Sequence, residues 1–224
     1  PLQRRSRESA NPTMLLAAVG LLLASRGDAN PAPPSNPPML LSAIPARPGR
    51  SPVASQFHDP HLLASWGFTH AVYGAAETTA AYSWLPEQQR PVFSPAAEAW
   101  QSSMAAGLQL QLEDATTAGL RPLCQMDLFV LPSVLLADHA DELIDPGTGL
   151  ISLSRSFTRT IIGGMLREVF ERFPLLSGLV VRVGELSFLD YPYHNGTYAV
   201  DHNAPIDAAR QQKQYVALLQ FLRK

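Results

Sequence analysis

Two apolar runs separated by a helical period constrain this chain more than any other feature. The first run, Pro122 to Leu131, is mostly apolar and bounded by Pro122 and Pro132, the pattern of a strand buried on both faces. Phe157, Ile161, Met165, Val169 and Phe173 then recur every four residues, which predicts an amphipathic helix stopping before Pro174. Gly178 to Glu185 supplies the next strand. Upstream, residues 61–68 read as a short helix closed by Gly67, and residues 69–74 as a strand. Ser94-Pro95 opens a long helix whose apolar face carries Trp100, Met104, Leu108 and Leu112 and which ends near Gly119. The turn-rich stretch from Asp145 to Gly149 is a loop. Asn203-Ala204-Pro205 reads as a further helix start, with Tyr215, Leu218, Leu219 and Leu222 as its apolar face.

Strands that alternate with helices of this length imply right-handed βαβ units on a parallel sheet. The expected fold class is therefore α/β, the sheet either closed as a parallel (β/α) barrel of TIM type or open. A complete eight-fold barrel takes roughly 250 residues, so about three to four units are expected here and the barrel is read as incomplete. Residues 57–224 are assigned to it.

What precedes residue 57 has a different character. Arg4, Arg5 and Arg7, an apolar run from Leu15 to Ala24 and Gly27-Asp28-Ala29 follow the order of a secretory signal peptide. Residues 1–29 are thus expected to be a leader with upstream residues, and the protein secreted or endomembrane. The leader's apolar run is too short to span a bilayer comfortably, so no membrane association is expected once it is removed. Pro31, Pro33, Pro34, Pro37, Pro38, Pro45, Pro48 and Pro52 crowd residues 30–56, which read as a linker.

Charge and cysteine content close off other classes. A net charge of -2, with no Lys/Arg cluster on one helical face, provides no field for a nucleic acid backbone. The single cysteine, Cys124, forms neither an internal disulfide nor a cysteine-based zinc site. His58-Asp59-Pro60-His61 resembles a metal cluster but lacks a third convergent ligand and sits at a helix start, where Asp59 is better read as a cap. No metal or cofactor is expected.

The chemistry-bearing segment is the last strand and the loop behind it. Arg182 and Glu185 fall near the carboxyl end of a buried strand, the end that bears the site in parallel α/β folds. The loop from Leu186 to Asn203 carries Asp190, Tyr191, Tyr193, His194, Tyr198, Asp201 and His202. Aromatic faces suit sugar rings, while carboxylates and imidazoles bind hydroxyls or move protons. Asp127 in the preceding strand, and Glu77 after the first strand with Tyr82 and Trp84 behind it, are further candidates for substrate contact. Asn195-Gly196-Thr197 is a glycosylation sequon.

The phrase from Gly178 to Glu185, followed by Asp190-Tyr191-Pro192-Tyr193-His194, resembles glycoside-hydrolase-like barrels related to the alpha-glucuronidases. The stretch from Tyr215 to Arg223 fits the same pattern. The resemblance implies that Glu185 is the general acid and that Arg182 binds a substrate carboxylate or holds Glu185. Asp127, Asp190, Tyr193, His194 and Glu77 would contact a carbohydrate substrate, and the second catalytic carboxylate is expected beyond Lys224. The sequence departs from the pattern at Leu186-Ser187-Phe188, where glycine and proline are expected. The alternative is a catalytically inactive carbohydrate-binding or structural barrel.

Overall fold

A computed structural model describes residues 41–43, 58–147, 149–182, 191–196 and 208–223. Their elements run β1 (Leu41–Ala43), α1 (Pro60–Ser65), β2 (His70–Gly74), α2 (Pro95–Thr117), β3 (Arg121–Asp127), β4 (Val130–Pro132), α3 (Ser133–Asp138), α4 (Ala140–Leu143), β5 (Ile144–Asp145), β6 (Leu150–Ile151), α5 (Ser156–Arg172), β7 (Gly178–Arg182), β8 (His194–Gly196) and α6 (Ala208–Leu222). The α/β class expected from the alternation is therefore the one found.

Strands β1, β2, β3 and β7 form one sheet in that order, and every neighbouring pair is parallel. The register sets Val72 beside Leu123, Gly74 beside Gln125, and Asp127 beside Arg182. Barrel closure is not present among the described residues, where the sheet has β1 and β7 as its edges. Strand β1 falls inside the Pro-rich stretch read as a linker: the apolar residues Met39, Leu40 and Leu41 are flanked but not interrupted by proline, so three residues can pair with β2.

The helix ends follow from local chemistry. Asp59 caps α1, its Oδ1 accepting the amides of His61 at 2.9 Å and Leu62 at 3.2 Å; the motif that resembles a metal cluster is a helix cap. Ser94 caps α2 through the Ala97 amide, with Pro95 at the first helical position. Gly67 and Gly119 follow α1 and α2 with φ of +86° and +83°, a left-handed turn that glycine adopts without the β-carbon penalty.

One face of the sheet packs on the helices. Ala71, Tyr73, Cys124, Met126, Leu179 and Val181 share a single core cluster with Leu63 of α1, Leu108 and Leu112 of α2, and Ile161, Met165 and Val169 of α5. The period of α5 is as read from the sequence. That of α2 is not: its buried positions are Ala97, Gln101, Ala105, Leu108, Leu112 and Ala115, while Trp100 and Met104 are half-buried. Alanines let the helix approach closely, and Gln101 is buried because its amide donates to the Ala80 carbonyl at 3.1 Å.

The expected long strand from Pro122 breaks at Leu128 and Phe129. Residues Val130–Pro132 leave the parallel sheet and pair antiparallel with His194–Gly196. Apolarity alone could not separate these two strands, because both are buried.

The chain between β2 and α2 is fastened to α5. Glu168 accepts the Ala81 amide at 2.7 Å, the Tyr82 amide at 3.0 Å and the Trp84 indole N–H at 3.2 Å. Arg172 donates to the Thr79 carbonyl. The six-membered ring of Trp84 lies against Gly164, and a β-carbon at that position would overlap it. Tyr82 is fully buried and its hydroxyl donates to the Met165 sulfur. Tyr82 and Trp84, expected as a stacking surface behind Glu77, thus belong to the packing between loop and helix.

The Gly164→Ala variant should push Trp84 off α5, costing about 1–3 kcal/mol as an overpacked contact. Urea unfolding reads this as a lower midpoint at an unchanged m-value. A midpoint equal to that of the wild type would show that Trp84 does not depend on the missing β-carbon.

Candidate functional site

Successive side chains of a strand point to opposite faces. Since Ala71, Tyr73, Cys124, Met126, Leu179 and Val181 face the helices, the other face carries the alternate positions. Its rows are His70 with Arg121, Val72 with Leu123 and Gly178, Gly74 with Gln125 and Val180, and last Asp127, whose register partner is Arg182. This face is apolar at the middle of the strands and polar at both ends. Val72 and Leu123 are buried, Gln125 is half-buried, and Asp127 is buried to 1% exposure. A carboxylate so enclosed is held by partners, and Asp127 has them.

The chain beyond β2 brings a second carboxylate to the same end. Ala75 donates its amide to the Gln125 carbonyl at 3.1 Å and turns the backbone with φ +72°. A 3-10 turn over Ala76–Thr79 follows, with Glu77 fully buried in it. Thr78 and Thr79 close this turn by donating their hydroxyls to the Ala75 and Ala76 carbonyls.

Three groups record the electrostatics. Burial pushes the Cys124 thiol up, and the charge of Glu77 adds to the effect against an opposing hydrogen bond with the Ala76 backbone. Cys124 is therefore a thiol packed in the core, and a nucleophilic thiolate role is closed to it. Burial likewise raises Tyr82, reinforced by Glu168 and Glu77. Tyr73 is pushed up to about 12, by burial first and then by Asp114.

The ribbon of β4 and β8 extends from the carboxyl end of β3. In it Tyr193 is 42% exposed and His194 only 2%. Trp100, near the start of α2, meets both rings, at centroid distances of 6.1 Å to Tyr193 and 5.5 Å to His194. Sequence reasoning placed Trp100 in a core stripe and missed this role, because its partners lie more than ninety residues away. The His194 Nδ1 lies 3.1 Å from the Pro192 carbonyl. A carbonyl only accepts, so Nδ1 carries the proton and Nε2 of the neutral ring holds a lone pair. Nε2 is buried and has no hydrogen-bond partner among the described residues.

Of the residues expected at the site, the structure thus places Glu77 and Asp127 at the carboxyl end of the sheet and Arg182 as the last residue of β7. It sets Tyr193 and His194 in the adjoining ribbon. Glu185 and Asp190 lie outside the described residues. Among those described, no group of three His, Cys, Asp or Glu could hold a metal ion, and no helix is long and apolar enough to cross a membrane.

No protein-family model and no curated protein matches the chain. Among solved structures, the noncanonic maltogenic alpha-amylase AmyB from Thermotoga neapolitana is similar at a TM-score of 0.44 and 13% identity, over 66% of this chain. The chain spans 40% of the length of that enzyme.

Two outcomes follow. Removing the Glu168 carboxylate in Glu168→Ala leaves two amides and an indole N–H without their acceptor, which should lower stability by about 1–3 kcal/mol, measured by urea unfolding. For His194, burial lowers the pKa from 6.5 to about 4, against an opposing hydrogen bond to Pro192. The unfolded chain therefore takes up this proton first as pH falls. The stability contributed is complete above 6.5 and is lost between 6.5 and about 4. His70 shifts the same way, through burial and then Arg121. Urea midpoints across that window should fall less in His194→Gln than in the wild type; equal slopes would place His194 in water.

Proposed function

We propose that this chain belongs to a glycoside hydrolase whose carbohydrate substrate lies at the carboxyl end of the parallel sheet. The observation that carries the reading is a pair of enclosed carboxylates at the carboxyl end of the sheet, Asp127 at the end of β3 and Glu77 in the turn after β2. Parallel α/β folds bind ligands at that end because the strands deliver their loops there.

In this reading Glu185, three residues past the end of β7, is the general acid that protonates the glycosidic oxygen, as the resemblance to the alpha-glucuronidases implies. A second carboxylate assists the attacking water. Asp127 and Arg182, adjacent in register, position the sugar, and Asp190 adds a polar contact. Secretion through the leader at residues 1–29 belongs to the same proposal, since extracellular polysaccharides are its natural substrates.

Incubating the protein with a panel of poly- and oligosaccharides, glucuronoxylan among them, tests this by release of reducing sugar. Glu185→Gln is expected to abolish turnover, since the amide has no proton to give, and to leave substrate affinity within a few-fold. Asp127→Asn should reduce turnover by roughly 10²-fold or more. Full activity of Glu185→Gln on every substrate that the wild type cleaves would remove Glu185 from the mechanism. No cleavage of any substrate by the wild type would favour the inactive carbohydrate-binding barrel.

A further inference from the structure

The β4–β8 ribbon carries aromatic groups that take no part in holding the parallel sheet. Tyr193 adopts φ +64°, a left-handed conformation that costs a residue with a β-carbon on the order of 1–2 kcal/mol. Such backbone persists only where its surroundings over-determine it. Here the Ser133 amide donates to the Tyr193 carbonyl at 2.8 Å, the His194 amide donates to the Tyr191 carbonyl at 3.3 Å, and His194 pairs with Pro132. The result is a tyrosine presented to solvent, with Trp100 edge-on to its ring.

Beside it, His194 holds an unsatisfied acceptor. Its neutral tautomer is fixed by the Pro192 carbonyl, so Nε2 must receive a hydrogen bond and receives none among the described residues. An unpaired buried acceptor costs about 1–3 kcal/mol. The donor that fits is neutral: the ring is uncharged, and among the described residues it meets the Trp100 ring and the Pro192 carbonyl. A metal would need further ligands, and the described residues offer no such group. A neutral donor beside an exposed aromatic face is the chemistry of a sugar, whose C–H groups stack while its hydroxyls donate.

We propose that Trp100, Tyr193 and His194 form a sugar-binding platform, in which a pyranose ring stacks on Tyr193 and one of its hydroxyls donates to Nε2 of His194. Docking includes a turn of the Tyr193 side chain that opens the enclosed imidazole. The platform rests on the carbohydrate reading above and deepens it. It lies at the same end of the sheet as Asp127, because only Leu128 and Phe129 separate β4 from β3 and Trp100 lies in the early turns of α2, which follows β2. It therefore extends the site outward, contacting a sugar unit next to the one that reacts.

Titration calorimetry of the full chain at neutral pH with cellohexaose, xylohexaose and maltohexaose tests the platform. The wild type should bind at least one of them. Tyr193→Ala and His194→Phe should each weaken that binding roughly ten-fold, His194→Gln, which keeps an acceptor, should weaken it less than His194→Phe, and Leu110→Ala on the exposed face of α2 should leave it unchanged. Circular dichroism establishes that each variant is folded, and if His194→Phe is not, Tyr193→Ala decides. Binding by folded Tyr193→Ala within about two-fold of the wild type overturns the platform, as does a wild type that binds none of the three. Turnover separates the two ideas: hydrolysis that depends on Glu185 but not on Tyr193 keeps the glycosidase and removes the platform, and binding without hydrolysis does the reverse.

Discussion

The carboxylate of Glu168 is the contact on which the arrangement at the sheet's carboxyl end depends. It sits on α5, the helix between β3 and β7, yet its hydrogen bonds go to Ala81, Tyr82 and Trp84 in the chain after β2. One side chain thereby ties two βα units that the sheet alone joins only through backbone. Its three donors would otherwise need other partners at the packed boundary with α5, so the loop has one low-energy course. That course holds the turn bearing Glu77 against the core, and Gly164 leaves the space that the indole needs to lie flat on α5. Arg172 and Gln101 take the Thr79 and Ala80 carbonyls immediately before Ala81, so the link between that turn and the Glu168 contacts is held as well.

Much of the fold was legible because burial on a helix or strand leaves a period. The α5 period and the strands at 70–74 and 178–182 were read directly from apolar spacing. Leu108 and Leu112 were also placed correctly, but the face of α2 was assigned a step away from its true position because alanine and glutamine were discounted. Both are buried there, the alanines for close approach and Gln101 because it has a carbonyl to bond. Long-range pairing leaves no such trace. Nothing local in Val130–Pro132 announces an antiparallel partner more than sixty residues on, and the three residues of β1 are too few to show a period among prolines.

The candidate site divides in the same way. Asp127 stood out as a lone charge in an apolar strand, and its enclosure at the strand end gives that signal a physical basis. Glu77 was singled out by its position after a strand, and the structure encloses it in the turn there. Tyr82 and Trp84 were misjudged because aromatic residues next to a carboxylate look the same in sequence whether they face a ligand or a helix. The deciding feature, a glycine on α5 opposite the indole, lies eighty residues away. Trp100 was misplaced as well, since an apolar stripe ordinarily marks the core, whereas here it is half-buried and meets the rings of Tyr193 and His194.

The order of the strands carries a further consequence. In doubly wound sheets the order reverses at a switch point, and right-handed crossovers then place helices on both faces. Here β1, β2, β3 and β7 advance in one direction, and right-handed connections that advance in one direction put every helix on one face. The core cluster agrees, since α1, α2 and α5 all meet the face of Ala71, Tyr73, Cys124, Met126, Leu179 and Val181. No helix of that layer covers the opposite face, yet Val72, Leu123 and Asp127 on it are also buried. This second face is apolar at the middle of the strands and carries the enclosed Asp127 at their carboxyl end, the end to which a parallel sheet delivers its loops.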